Sequence, residues 1–280
     1  MFTINLTPTF MPYGEGQAHD ISRPFPSGVE VNFQLDIVDL PEEVRLTTRI
    51  QSSNDLVRLL MATDAVKRAG AKKLTVFVAS FPYARQDRVC NPGEAFSLKV
   101  IADIINAQKY EQVIMFDPHS DVTPAVIENS AVITNVAFVK KVLEGRTGYK
   151  LVSPDAGAEK KVRKVALAVG YNERPVMCSK YRLDGGHIES VEFSLNDFGG
   201  QDAFILDDIC DGGATFIKLA SEIKKRNVGK VYLVVSHAIF SAGLDGLRAS
   251  GIDHIFTTDS FQDQNPANDF ITEVKLCTIL

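Results

Sequence analysis

The residues with the most chemistry to offer fall in one short stretch, Ala203-Phe-Ile-Leu-Asp-Asp-Ile-Cys-Asp-Gly-Gly-Ala-Thr-Phe216. A short apolar run, Ala203 to Leu206, leads into three acids, two glycines and a threonine and then into a helical pattern, so the stretch reads as strand, loop, helix. Gly212 and Gly213 let the main chain approach a ligand closely. Their N–H groups, with the amides that open the next helix at Ala214 and Thr215, form a cradle for a phosphate. Asp207 and Asp208 would repel that phosphate. At the carboxyl end of a strand they suit sugar hydroxyls, or a cation that bridges to the phosphate. The stretch points to a phosphorylated sugar. Without a ligand it reads as an acidic turn, with Asp211 as a helix N-cap and the glycines as punctuation.

Four further strand exits carry polar groups. Leu74 to Ala79 reads as a buried strand that opens into Phe81-Pro-Tyr-Ala-Arg-Gln-Asp-Arg88. Arg85 and Arg88 offer bidentate forks to phosphates, and Gln86 and Asp87 offer hydrogen bonds to a base or ribose. The same loop without a ligand is a surface salt-bridge turn. Val113 to Phe116 delivers Asp117-Pro-His-Ser-Asp121, whose His119 and carboxylates suit a divalent ion, directly or through its waters. Lys150 to Val152 delivers Ser153-Pro-Asp-Ala-Gly157, with Asp155 again at an exit. Val176 to Ser179 leads into Lys180-Tyr-Arg-Leu-Asp-Gly-Gly-His-Ile-Glu189. This last segment reads either as a mobile loop whose two cations close over a polyphosphate, or as a hairpin with charged shoulders.

The elements that must position these loops alternate. Val29, Val31 and Phe33 repeat with the period of a half-buried strand. Leu56, Leu59, Leu60, Thr63 and Val66 share one helical face that ends at Gly70. Glu94 to Ala107 reads as a helix burying Leu98, Ile101 and Ile105. Residues 122–149 read as a connection between two halves, and 216–226 as a helix. Val231 to Val235 is a strand, Leu244 to Ala249 a short helix and Ile252 to Thr257 a last core strand. Alternation of this kind makes parallel sheets flanked by helices, an α/β fold.

Composition narrows the field without choosing within it. The 280 residues suffice for two modest domains, and 45% apolar with 23% charged residues is ordinary for a globular protein. No apolar run is long enough to span a bilayer and no signal-peptide pattern opens the chain, so a cytoplasmic protein with no membrane partner is expected. Cys90, Cys178, Cys210 and Cys277 lack metal-ligand spacing and read as reduced thiols, Cys210 filling space. A net charge of −5 argues against nucleic acid as a partner.

Taken in order, these segments resemble the ribose-phosphate pyrophosphokinases, also called phosphoribosyl-pyrophosphate synthetases. The resemblance runs from about Asn54 to Thr258 and includes Asn54-Asp55, Tyr83-Ala-Arg-Gln-Asp-Arg88, Asp117-Pro-His-Ser120, Val152-Ser-Pro-Asp-Ala-Gly157, Lys180-Tyr-Arg182, Asp207-Asp208 with Asp211 and Thr215, and Ser236-His-Ala-Ile-Phe-Ser241. It implies two phosphoribosyltransferase-like domains, residues 1–135 on the ATP side and 136–280 with the ribose 5-phosphate loop. It implies transfer of the diphosphoryl group of ATP to the anomeric hydroxyl of ribose 5-phosphate, giving phosphoribosyl pyrophosphate and AMP. By position, Arg85, Gln86, Asp87 and His119 would bind ATP, and His119 and Asp155 would ligate Mg2+. Asp207, Asp208, Asp211, Gly212, Gly213, Ala214 and Thr215 would hold ribose 5-phosphate, and Lys180 and Arg182 would be catalytic, with Glu189 further along the same segment. The resemblance also implies a homo-oligomer, a dimer or hexamer.

The chain departs from the family's pattern at several places. Phe25-Pro-Ser-Gly-Val-Glu30 replaces a Phe-Ser-Asp-Gly-Glu-like element, Thr134 stands before Asn135 where Asp is usual, and Gly212 stands where Thr is usual. Two other readings share parts of the pattern: a type I phosphoribosyltransferase, and a non-catalytic, synthetase-associated regulatory subunit.

Overall fold

The computed structural model describes residues 1–14, 30–35, 39–182, 188–264 and 268–280, with backbone only at 180–182 and 188–191. They form two compact units, Met1–Thr134 with Lys275–Leu280, and Asn135–Val274. Among the described residues no helix is long and apolar enough to cross a membrane.

The first unit comprises β1 (Phe2–Asn5), β2 (Glu43–Thr48), α1 (Ser53–Arg68), β3 (Lys73–Val78), α2 (Ser97–Asn106), β4 (Gln112–Phe116), α3 (Val122–Val126) and β5 (Ser130–Ile133). Its strands lie side by side in chain order, all parallel. Right-handed crossovers that always step in the same direction put their helices on the same face. Accordingly Leu59 and Val66 of α1 and Leu98 and Ile105 of α2 share one core with Ile4, Leu46, Val76 and Val78 of the sheet. On the opposite pleat, Phe77 is covered by Phe10 and Tyr13, and Tyr13 in turn carries the Arg45 guanidinium 3.7 Å from its ring centre. The start of α1 is fixed by a capping box: Ser52 Oγ accepts from Asp55 N, and Asp55 Oδ2 accepts from Ser52 N.

The second unit contains α4 (Val136–Leu143), β6 (Tyr149–Ser153), α5 (Glu159–Val169), β7 (Val176–Arg182), β8 (Ile188–Phe193), β9 (Asp202–Cys210), α6 (Ala214–Ile223), β10 (Val231–Ala238), α7 (Asp245–Ala249), β11 (His254–Thr258) and β12 (Ile271–Val274). Its strand order is β12-β11-β10-β9-β6-β7-β8, parallel except for the β7–β8 hairpin. From β6 the chain steps through α5 to β7 in one direction, and from β9 it steps through α6 to β10 in the other. The two helices therefore cover opposite faces. Phe216, Leu219 and Ile223 of α6 pack with Ile205 and Leu233, whereas Val162 and Val165 of α5 lie by Leu206, the next residue along the same strand. The reversal leaves a crevice between the carboxyl ends of β6 and β9, where open α/β sheets bind ligands.

Several sequence expectations need correction. The strand expected to end at Leu206 continues to Cys210, because Asp207, Ile209 and Cys210 pair with Val235, His237 and Ala238 of β10. The acid pair is thus inside a strand, and polarity alone made it look like a loop. By the same pairing β10 continues past Val235 to Ala238. Asp211 is not the N-cap of α6; Gly213 is. The connection 122–149 contains α3 and β5, which are too short to carry a clear period, and α4, which buries Phe138, Val139, Val142 and Leu143 at helical spacing. Of the two readings of Lys180 to Glu189, the described residues give the hairpin: β7 and β8 pair antiparallel with Lys180 opposite Val191, while 183–187 lie outside the described residues. Val31 and Phe33 form no strand, and Val29, with most of the Phe25 to Glu30 element, lies outside the described residues.

Candidate active site

The crevice of the second unit gathers the acidic residues. Asp155 sits two residues past β6, its Oδ1 accepting from Ala158 N at 3.0 Å as the chain turns into α5. Gly157 is pressed against it: a Cβ there would lie 3.2 Å from Asp155 Oδ1. On β9, Asp208 is only 5% exposed. Burial, then the neighbouring Asp208 and the charge of Asp155, push the Asp207 carboxyl well above the usual carboxylate value. Neighbouring buried acids repel unless something offsets their charge, which a shared proton, hydroxyl donors or a cation can do. Cys210 closes the strand. Burial and the charges of Asp207 and Asp211 push its thiol up to about 12, which makes it a space-filler and no nucleophile.

The turn that follows is built for close approach. Gly213 has φ +78°, a conformation that favours glycine, and a Cβ on it would meet Leu247 Cδ2 at 3.0 Å, so that side chain would have to give way slightly. The chain then enters α6, whose first-turn amides, beginning at Ala214 and Thr215, open toward the turn. The β7–β8 hairpin emerges at the same end of the sheet. Ser153, the last residue of β6, pairs with Met177, so the backbone at Lys180 and Arg182 extends three and five residues past that point.

The first unit holds the other group of residues on the loops after β3 and β4. Asp87 is 6% exposed, and its carboxylate is engaged from two sides. Arg88 donates through Nε at 2.7 Å and Nη2 at 3.1 Å, and Ser120 Oγ donates at 2.6 Å. The Ser120 bond ties the β3 loop to the β4 loop, and the Arg88 bonds hold the carboxylate within its own loop. Arg85, Gln86 and His119 are exposed around the tie. Two residues of these loops adopt the left-handed region without being glycine, Tyr83 at φ +56° and Asp117 at φ +41°. Backbone strain of this kind collects where a loop must present particular groups. Sequence reasoning left Arg88 either a phosphate ligand or one side of a salt-bridge turn and gave Ser120 no separate role; the structure shows the salt bridge to Asp87 and makes Ser120 a second partner of that carboxylate.

The Asp87 tie yields a test. The Arg88 hydrogen bond, aided by Ser120 and by the charges of Arg88 and His119, outweighs burial and holds the Asp87 carboxyl below its usual value. A carboxylate lowered on folding stabilises the protein above its unfolded pKa of about 3.9, and that contribution is lost as pH falls through the lower folded value. Arg88 is 70% exposed, so its share is small. Asp87→Ala is expected to lower stability by about 1–3 kcal/mol at pH 7. In urea unfolding the gap to wild type should narrow below about pH 4; an equal gap at both pH values would refute the tie.

The sequence-derived site residues thus divide between the units: Arg85, Gln86, Asp87 and His119 in the first, Asp155, Lys180, Arg182 and Asp207 to Thr215 in the second. Among the described residues no three His, Cys, Asp or Glu side chains are gathered as a metal cluster. In the second unit the Asp155 carboxylate has the oxygen chemistry that Mg2+ takes, the ion completing its shell with substrate phosphates and water; in the first unit the His119 imidazole suits such an ion through its waters.

Loops at the carboxyl ends of parallel strands in two α/β units, one loop joining an acid pair to a glycine turn, define the class. Residues 43–108 match the model of the N-terminal domain of ribose phosphate pyrophosphokinase. A ribose-phosphate pyrophosphokinase of Mycoplasmopsis pulmonis is 27% identical over 230 residues, covering 80% of this chain and 70% of its own length. One of Vibrio parahaemolyticus is 28% identical over 243 residues, covering 84% and 76%. In fold, the chain is similar to a crystal structure of phosphoribosylpyrophosphate synthetase from Mycobacterium smegmatis, with a TM-score of 0.82 at 19% identity over 99% of this chain and 95% of that one. The chain is thus similar in sequence to ribose-phosphate pyrophosphokinases and in fold to a phosphoribosylpyrophosphate synthetase.

Proposed function

We propose that this protein is a ribose-phosphate diphosphokinase, a transferase that moves the diphosphoryl group of ATP to the anomeric hydroxyl of ribose 5-phosphate. The observation that carries the reading is the reversal of strand order between β6 and β9, which sets Asp155, Asp207, Asp208 and a glycine turn at one crevice. Asp207, Asp208 and Asp211 hold the sugar hydroxyls, while the amides of Gly212 to Thr215 hold its 5-phosphate. Arg85 and Gln86 bind ATP, and Asp87 acts with them by locking their loop to the one that bears His119.

Chemistry at the β-phosphorus is in-line displacement by the sugar oxygen, with AMP leaving. No protein nucleophile is required; positioning and charge stabilisation lower the barrier. Lys180 and Arg182 supply cationic hydrogen-bond donors to the phosphoryl and leaving oxygens as charge moves onto them. His119 and Asp155 would hold Mg2+, which when bound neutralises phosphate charge. The enzyme acts in the cytoplasm as a dimer or hexamer, without nucleic-acid or membrane partners.

The test is to incubate pure protein with Mg2+, ATP and ribose 5-phosphate, with no base present. Sugar-dependent AMP is expected. A type I phosphoribosyltransferase or a non-catalytic subunit would release none, and either result would overturn the proposal.

A further inference from the structure

The segment Ser236-His-Ala-Ile-Phe-Ser241 takes no part in the chemistry above, yet the structure builds it against the sugar-phosphate loop. The end of β10 is locked in place. His237 Nδ1 lies 2.7 Å from Ser260 Oγ, and that hydroxyl, with Thr258 Oγ1, donates to Ser236 O at 2.8 and 2.7 Å. Since Ser260 gives its proton to Ser236 O, it accepts from His237, which fixes the ring. The chain then folds across the end of β9. Ile239 N and Phe240 N both donate to Cys210 O, at 2.9 and 3.2 Å, and Gln262 Nε2 donates to Ile239 O at 3.1 Å.

Phe240 sits at φ +52°, where a large aromatic residue is disfavoured. The residue delivered by that kink is Ser241, whose Oγ donates to Asp211 Oδ1 at 2.5 Å. Ser241 Oγ also passes within 3.9 Å of the space a Cβ on Gly212 would fill. A strained residue between a locked strand end and a short bond to a carboxylate indicates a loop shaped to make that bond.

We propose that Ser241 is a positioning residue for ribose 5-phosphate. It fixes the rotation of the Asp211 carboxylate and draws charge from the oxygen it contacts, so that the acid lies beside a sugar phosphate without repelling it. The inference rests on the proposed function, since it needs Asp211 in the sugar site. A fixed Asp211 affects binding of one substrate and leaves the cation-assisted transfer untouched.

The experiment measures steady-state constants for Ser241→Ala and Ser241→Thr, together with the rise in melting temperature that ribose 5-phosphate gives each protein. Loss of one hydrogen bond to a charged group should raise the KM for ribose 5-phosphate about tenfold in Ser241→Ala and shrink the thermal shift. The KM for ATP and kcat should stay within about twofold of wild type, the pattern of a lost ground-state contact. Ser241→Thr, which keeps the hydroxyl, should restore both readouts. An unchanged sugar KM in Ser241→Ala, equal losses for both substrates, or failure of Ser241→Thr to rescue would overturn the assignment. Wild-type protein that makes no AMP would instead overturn the function on which it rests.

Discussion

Lys180→Ala is expected to lower kcat by about 10²–10³ while the dissociation constant for ATP changes by no more than about threefold, because a cation that acts on developing charge is felt in the transition state far more than in the ground state. The β7–β8 hairpin supports this role. It carries Lys180 and Arg182 past the end of β6 on an antiparallel ladder, at the same end of the sheet as Asp155. Pre-steady-state turnover and equilibrium ATP binding, measured on the same preparation, separate the two effects. Equal losses in both would reject the transition-state role and make Lys180 an ordinary phosphate contact.

Asp208→Ala should act on the other substrate. If the carboxylate holds two sugar hydroxyls through charge-assisted bonds, each contributing about 1.5–3 kcal/mol, kcat/KM for ribose 5-phosphate falls at least about 10²-fold. ATP affinity should be retained. The same change removes a charge that holds Asp207 up, so the variant should unfold at no lower a temperature than wild type at neutral pH, against the usual result of truncating a buried side chain. A large drop in melting temperature together with intact sugar kinetics would mean that the acid pair supports the fold and not the ligand.

Much of this site was legible from residue types at strand exits. The apolar runs at 74–79, 113–116 and 203–206 locate strands because parallel sheets bury both faces, and the polar loops after them follow from that geometry. Where polarity and pairing disagreed, pairing decided: Asp207 and Asp208 look like loop residues yet lie in β9, held there by β10. Asp211 is a good N-cap residue by type, but the turn needs positive φ at Gly213, which takes the cap position.

The roles of Ser120 and Ser241 were not legible at all. Each contacts its carboxylate across thirty or more residues, 33 for Ser120 with Asp87 and 30 for Ser241 with Asp211. No periodicity or local motif encodes a contact at that range. The kinks at Tyr83 and Phe240 are equally silent, since aromatic residues do not favour φ above zero; Asp117 is of a type that enters that region more readily, but its type alone does not mark the kink. Their shared location after strands β3, β4 and β10 is a property of the folded chain.

The central claim is that the bond broken in ATP lies between the α- and β-phosphates, with a sugar oxygen as the attacking group. ATP labelled at the β-phosphorus tests it directly in the presence of Mg2+ and ribose 5-phosphate. The account predicts label in the diphosphate attached to the sugar's anomeric carbon, and unlabelled AMP. Label retained in ADP, or released as free pyrophosphate without a sugar product, would contradict it.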